Sequence, residues 1–335
     1  MGGLSARSFV YCVSCLRYVG VLSSGINISV LATNGQDVLY VWVYLLGRGH
    51  RRSTQSGTAE AKDAYKRQDQ IQAVIHLAGL KSIPESLLHP ELYSAVNITG
   101  SKHVFDAAIT CNVSTFIFSS SATVYTGSVP VHGYTEDMAA ESPDEIDHMY
   151  GRSKREFELY MEKNQHKIKC VSLRYFNPIG NHESGLLGES IHSSRATNLL
   201  AMVSKIYCSN GRDTLTIFGN NYDTADGTCE RDFIHVDDLA HGHLAVLTHN
   251  NNSIEEIYSV YNLGTGKSIS VKHIIHIFET ISNKKLPTQN KGRRDGDKPI
   301  VYANVQKAEQ DLKWKAYHTL EEACTHILER CVFFI

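Results

Sequence analysis

The chain has 335 residues, 33 of them Lys or Arg and 35 Asp or Glu, for a net charge of −2 at pH 7. It is long enough to bury a substantial core, and it lacks the basic excess that tracks a phosphate backbone, which excludes nucleic acid as the main partner. Hydrophobic residues make up 42% and charged residues 20%, and the longest apolar stretch, Val38 to Leu46, is about half a membrane span, so an ordinary globule with no membrane partner is expected.

In chain order, Arg7 precedes an apolar run that Arg17 and scattered Ser, Gly and Asn interrupt, so the N-terminus does not read as a signal peptide. Cys12 and Cys15 form a lone CxxC with no second pair or nearby His to complete a zinc site. The 8 cysteines are too sparse for a disulfide scaffold. Cys111 and Cys170 lie in or beside strand-like runs and are expected as buried thiols, which fits a reducing, cytoplasmic location. His50 to Gln70 is a polar, linker-like segment. From Ile71 onward, short β-branched or aromatic runs alternate with helical periodicity, the pattern of parallel βαβ units. Strands are expected at 73–76, 115–119, 169–175, 214–218 and 257–263, and helices near 91–110, 148–164, 195–208, 237–248 and 271–282. The predicted fold class is α/β: a Rossmann-like doubly wound parallel sheet. The irregular stretches 176–194 and 219–232, rich in Gly, Asn, Ser and Asp, follow strands at the carboxyl edge, where open α/β sheets bind ligands. They predict a smaller C-terminal substrate-binding lobe over 176–335, with some segments returning to the sheet, and a sheet domain over 1–175.

Tyr150-Gly-Arg-Ser-Lys154 places a phenol and an ammonium at i and i+4, on one helix face. A free Tyr titrates near 10, so a neighbouring cation that favours the phenolate is what a Tyr base needs. The run Phe116-Ile-Phe-Ser-Ser-Ser121-Ala-Thr-Val-Tyr125 reads as a buried strand that ends in hydroxyls at the edge where ligands sit, and Ser121 is the candidate to align a proton transfer with Tyr150.

A Ser-rich strand end followed by Tyr-x-x-x-Lys on the next helix resembles the extended short-chain dehydrogenase/reductase superfamily. Val74-Ile-His-Leu-Ala-Gly-Leu-Lys81, Leu173-Arg-Tyr-Phe-Asn-Pro-Ile-Gly180, Ile217-Phe-Gly-Asn-Asn-Tyr-Asp-Thr224, Arg231-Asp-Phe-Ile-His-Val236, Tyr261-Asn-Leu-Gly-Thr-Gly266 and Arg293-Arg-Asp-Gly-Asp297 narrow the resemblance to the UDP-glucose 4-epimerase family. The resemblance implies that Tyr150 is the acid/base, that Lys154 meets a nicotinamide ribose and that Ser121 meets the sugar 4-hydroxyl. It implies NAD as cofactor, lined by Leu77, Gly79, Lys81, Tyr150, Lys154 and Tyr175. It implies a UDP-sugar held by Ser121, Ala122, Thr123, Tyr175, Phe176, Asn177, Asn198, Leu199, Phe218, Arg231, Arg294 and Asp297, with arginine forks suited to the diphosphate. The implied reaction interconverts UDP-galactose and UDP-glucose through a 4-keto sugar, within galactose metabolism, in a homodimer. Val301 stands where the family gates an N-acetyl group by residue size, and a side chain smaller than Tyr there is expected to admit UDP-N-acetylhexosamines.

The family opens with a strand, a T-G-G-x-G-x-x-G phosphate turn and a helix. The nearest counterpart is Thr33 to Tyr40, with Asn34, Asp37 and Tyr40 in place of the glycines, and Leu45-Leu-Gly-Arg-Gly-His50 resembles the end of that helix. The N-terminal βαβ portion is therefore read as degenerate or incomplete, and a UDP-sugar-binding homologue without a complete NAD site is the alternative to an active epimerase. A sugar-nucleotide dehydratase needs an acidic residue beside the catalytic hydroxyl, where this chain has Ala122 and Thr123. His241 and His243 point to different helix faces and no metal site is expected. Gly264-Thr-Gly266 lacks a third glycine and reads as a turn.

Overall fold

The computed structural model describes residues 73–185, 187–188, 198–248, 257–294 and 296–331, and the backbone alone at 26–31, 41–46, 249 and 332–333. A six-stranded sheet runs in the order β1 (Ile26–Leu31), β2 (Val41–Leu46), β3 (Ala73–His76), β4 (Thr115–Ser121), β5 (Lys169–Tyr175) and, after four short strands elsewhere, β10 (Tyr258–Leu263). β3, β4, β5 and β10 are mutually parallel.

Alternation along these strands decides which face each side chain serves. Val74, Phe116, Phe118 and Cys170 pack on one face against Phe105 of the Ser101–Thr110 helix and Phe157 and Met161 of the Met149–Asn164 helix. Ile75, Ile117, Val171, Leu173, Tyr261 and Leu263 pack on the other, against Leu239 and Val246 of the Val236–His249 helix and Ala308 and Leu312 of the Gln306–Leu312 helix. Both faces are covered, as the doubly wound reading requires. Ser101 is preceded by a π-helical turn, Ser94–Gly100.

The second lobe has its own core. The Leu199–Cys208, Val271–Ser282 and Leu320–Phe333 helices enclose Val203, Ile274, Phe278, Cys324 and Ile327, joined by Ile217 and Phe233. Its short strands are β6 (Asn177–Ile179) paired with β9 (Phe233–His235), β7 (Leu215–Phe218) paired with β12 (Thr288–Lys291), and β8 (Glu230–Arg231) between β11 (Ile269–Ser270) and β13 (Ile300–Val301). Among the described residues no helix is long and apolar enough to cross a membrane.

Two expectations need correction. β1 and β2 are antiparallel to each other, and β2 is antiparallel to β3. An antiparallel pair is not a βαβ unit, since parallel neighbours need a crossover. Leu45 and Leu46, which resemble the end of a helix, close a strand instead, because Val41-Trp-Val-Tyr is β-branched and aromatic at every position. Cys111 is exposed rather than buried: it caps the end of the Ser101–Thr110 helix, and the chain turns inward only at Val113, while Cys170 is buried as expected. Cys12, Cys15, Asn34, Asp37, Tyr40 and the segment 50–70 lie outside the described residues.

Candidate active site

The end of β4 gives each of its serines a separate task. The Ser119 carbonyl accepts a hydrogen bond from the Lys154 ammonium at 2.6 Å. The Ser120 hydroxyl donates to Glu158 at 2.6 Å. The Ser121 hydroxyl oxygen accepts from the Thr123 amide at 3.2 Å and from the Thr123 hydroxyl at 3.0 Å. A hydroxyl has two lone pairs and one proton. With both lone pairs engaged, the Ser121 proton is what it has left to give. In register, Ser121 stands beside Tyr175 at the ends of neighbouring strands.

The Met149–Asn164 helix lies over this strand end, with Phe157 packed edge-on against Phe118 at 4.7 Å between ring centroids. That packing seats Lys154 4.7 Å from the centre of the Phe118 ring and 5.9 Å from the centre of the Tyr150 ring. The spacing of four residues thus brings phenol and ammonium together at the strand end, as the sequence predicts. Lys154 is 5% exposed, and burial pushes its pKa down to about 8 against the pull of the Glu158 carboxylate.

Glu158, one turn further along, is fully enclosed. It receives Arg174 at 3.0 and 2.9 Å in a two-pronged ion pair, Arg155 at 3.1 Å, and the Ser120 hydroxyl. The guanidinium and these donors hold its carboxyl below the usual range although burial opposes them. Arg174 also donates to the Tyr125 hydroxyl at 3.1 Å, and that hydroxyl donates to Asn262 at 2.5 Å. The ion pair ties the helix to β5 beneath the candidate catalytic groups.

The helix begins at His148, whose Nδ1 accepts the Gly151 amide at 3.0 Å and whose ring lies near-parallel to that of Tyr150, 6.3 Å between centroids at 14°. Gly151 permits this approach: a Cβ there would lie 2.8 Å from the His148 ring and 2.9 Å from the Thr123 carbonyl.

After β3 the chain runs through Leu77, Gly79 and Lys81 along the same edge. Asn97 grips this loop by accepting from the Leu80 amide at 2.8 Å and donating to the Leu80 carbonyl at 2.9 Å. A Cβ on Gly79 would sit 3.2 Å from the Asn97 oxygen and 3.7 Å from the Lys154 nitrogen. A bare backbone beside a buried ammonium leaves the room and the donor that the nicotinamide-ribose end of NAD needs, so these residues fit that half of the cofactor. Lys81 is exposed at the rim. Tyr175 commits its hydroxyl to His243 at 2.6 Å. The Nδ1 of His243 bonds the Leu239 carbonyl at 2.8 Å, so its Nε2 is the acceptor. Tyr175 therefore offers a ligand its ring and not its hydroxyl.

The second lobe contributes the cations. Arg231 pairs with Asp297 and stands in register with Val301. Arg294 lies on the Phe218 ring, its guanidinium carbon 3.9 Å from the ring centre, and Arg293 covers Tyr222 at 4.3 Å. Phe176 is buried with Val124, Tyr125, Tyr134 and Ala303, and Ala122 and Val301 border that cluster. Asn177 opens β6, its amide bonded to the Asp232 carbonyl at 2.9 Å. Asn198 caps the Leu199–Cys208 helix with its backbone while its side chain makes no cap bond, and Leu199 is half-buried against the lobe core. Gly264-Thr-Gly266 is a turn as expected. Its Thr265 and Gly266 amides close on the buried Asp232 carboxylate at 2.7 and 3.0 Å.

The sequence reading missed Asn97, His148 and Glu158. Asn97 lies in no motif of the site, His148 carries no motif, and Glu158 is one of several acids on a charged helix whose burial no local pattern announces. His235, Asp237 and His318 place three donor atoms within 4.8 Å of one another. The His235 and His318 rings are stacked nearly parallel at 4.3 Å and 18°, however, so their nitrogens do not converge on a common point.

The sequence pattern of the NAD dependent epimerase/dehydratase family matches residues 30–264. A UDP-glucose 4-epimerase of Cyamopsis tetragonoloba is 42% identical over 259 residues, covering 75% of this chain and 71% of its own length. The crystal structure of UDP-glucose 4-epimerase from Stenotrophomonas maltophila, with bound NAD and formylated UDP-arabinopyranose, superposes with a TM-score of 0.74 at 31% identity, over 83% of this chain and 81% of that one. That of the enzyme from Bifidobacterium longum, in complex with NAD+ and UDP, gives 0.72 at 36% identity, over 82% and 81%. With a pattern that spans most of the chain, and relatives alike in sequence and in fold, the chain belongs to the NAD dependent epimerase/dehydratase family.

Proposed function

We propose that this protein is a UDP-glucose 4-epimerase that interconverts UDP-galactose and UDP-glucose. The observation that carries the reading is the seating of Lys154, a buried ammonium beside Tyr150 at the hydroxyl-lined end of β4. NAD, held by Lys154 and the Leu77–Lys81 loop, would supply a reversible hydride acceptor for sugar C4, so that the hydride can be restored to either face. Tyr150 takes the proton of the 4-hydroxyl onto its phenolate oxygen as the 4-keto sugar forms, and gives it back when the alcohol is restored. Lys154 favours the phenolate electrostatically and reaches the nicotinamide ribose; Leu77, Gly79, Lys81 and the Tyr175 ring line the rest of that half. Ser121 presents its proton to the sugar oxygen, its lone pairs being held by Thr123. Ala122, Thr123, Phe176 and Asn177 border the hexose, and their small or flat surfaces leave it room to turn. Arg231, Arg294 and Asp297 take the diphosphate, and Asn198, Leu199 and Phe218 the nucleoside.

Val301 extends the substrate range to UDP-N-acetylhexosamines, because a valine beside Ala122 and Phe176 leaves volume that a tyrosine would fill. The lobes divide near residue 176, with the cofactor on the sheet domain and the UDP-sugar mainly on the other. The protein acts in cytoplasmic galactose metabolism as a homodimer. Leu87, Leu88 and Leu92, which are 57, 75 and 46% exposed beside the catalytic helix, supply apolar surface for that pairing.

Purified protein tests this reading directly. Denaturation should release NAD in near-stoichiometric amount, and UDP-galactose should be turned over with no added oxidant. UDP binding with neither NAD nor turnover, even after incubation with excess NAD, would establish the binding-only alternative. Turnover of UDP-N-acetylgalactosamine should fall at least tenfold relative to UDP-galactose in Val301→Tyr. Undetectable turnover by an otherwise active wild type would remove the N-acetyl proposal.

A further inference from the structure

The N-cap of the catalytic helix is a titratable group. Ser, Thr, Asp and Asn are the ordinary occupants of this position, and their oxygens remain acceptors across neutral and mildly acidic pH because none of them gains a proton there. His148 does the same work with a ring nitrogen: its backbone is extended at φ −131 and ψ 146, and its Nδ1 accepts the amide of Gly151, three residues on. Tyr150 sits between the cap and the amide it holds, and the imidazole lies against the Tyr150 ring. Gly151 is hemmed in by Ile146, His148 and the Thr123 carbonyl, so the cap also ties the first helical turn to the segment that bears Ser121.

We infer that His148 is a positioning residue for the epimerase reaction, holding Tyr150 only while its Nδ1 is unprotonated. The inference rests on the epimerase reading for its kinetic consequence but not for its structural one. When Nδ1 gains a proton, an N–H faces the Gly151 N–H, the cap bond is lost, and the first turn with Tyr150 is released. The groups that act on the ring favour the neutral state. Burial lowers its pKa, Arg152 on the same helix and Lys298 from the second lobe lower it further, and Asp147 opposes them. The positive end of the helix adds to the same side. The cap is thus intact at neutral pH and opens only when the pH falls below the ring's lowered pKa.

The test compares NAD-loaded wild type with His148→Asn and His148→Ser, whose caps do not titrate. With kcat followed from pH 7.5 down to pH 5, wild type should fall further than either variant, by up to about fivefold, the size of one cap lost. Exchange of the backbone amides over residues 150–153, corrected for intrinsic rates, should accelerate on acidification in wild type and stay level in both variants. Equal falls in kcat together with equal exchange profiles would overturn the inference. Exchange that differs in a protein without turnover would uphold the cap and count against the epimerase reading alone. Should one variant fail to fold, the other carries the comparison.

Discussion

At the scale of single residues, the site separates groups that hold from groups that react. Asn97 and Thr123 spend their hydrogen bonds on the loop and the serine they support. Tyr150 is the group assigned to react. Its replacement by Phe removes one oxygen and keeps the ring that packs beside His148 and Lys154. Tyr150→Phe is expected to lower turnover by about 10²–10⁴-fold, the usual worth of a positioned acid or base, while calorimetry shows UDP binding unchanged. Turnover within threefold of wild type would refute the assignment.

At the scale of elements, the catalytic helix is fixed to the sheet by an ion pair and by aromatic packing. Removing one partner of a buried pair leaves the other charge unanswered, and Glu158→Ala strands Arg174. Urea denaturation should show a loss of about 3–5 kcal/mol. A loss below 1 kcal/mol would mean that water enters and solvates the guanidinium. What the sequence reveals follows from this division. Strands β3 and β5 and the Val271–Ser282 helix match their expected bounds, because buried strands and a strongly two-faced helix announce themselves through local period. Ser121, Tyr150 and Lys154 are legible through a motif. The bond between His243 and Tyr175 and the enclosure of Glu158 join segments 68 and 16 residues apart, and nothing local encodes such meetings. The antiparallel course of β1 and β2 is equally hidden, since pairing direction is decided by neighbours and not by propensity.

At the scale of the whole molecule, stability is tied to histidines folded in the neutral state. His76 anchors the end of β3 to Ser101 at 2.8 Å, and burial with the nearby Lys154 lowers its pKa to about 3. Burial lowers that of His243 to about 4. Unfolding returns both to the ordinary value near 6.5, so between these limits the unfolded chain binds more protons, and stability falls as pH falls. At pH 5 the pair should cost about 4 kcal/mol relative to pH 7, read as a lower denaturation midpoint. His243→Gln should shed about half of that slope. A midpoint that holds level from pH 7 to pH 5 would show that neither ring is kept neutral.

Asp232 joins three stretches of chain: its own strand end, Thr265 and Gly266 33 and 34 residues on, and Ala303 71 residues on. A carboxylate that accepts from all of them closes two long loops at one point, and in the folded state it does the work of a covalent staple. Unlike a disulfide, this staple is indifferent to thiols and oxidants. The lobe that carries Arg231 and Val301 therefore keeps its register against β10 whatever the redox state of its surroundings, while its cysteines, free among the described residues, serve by packing and not by covalent links.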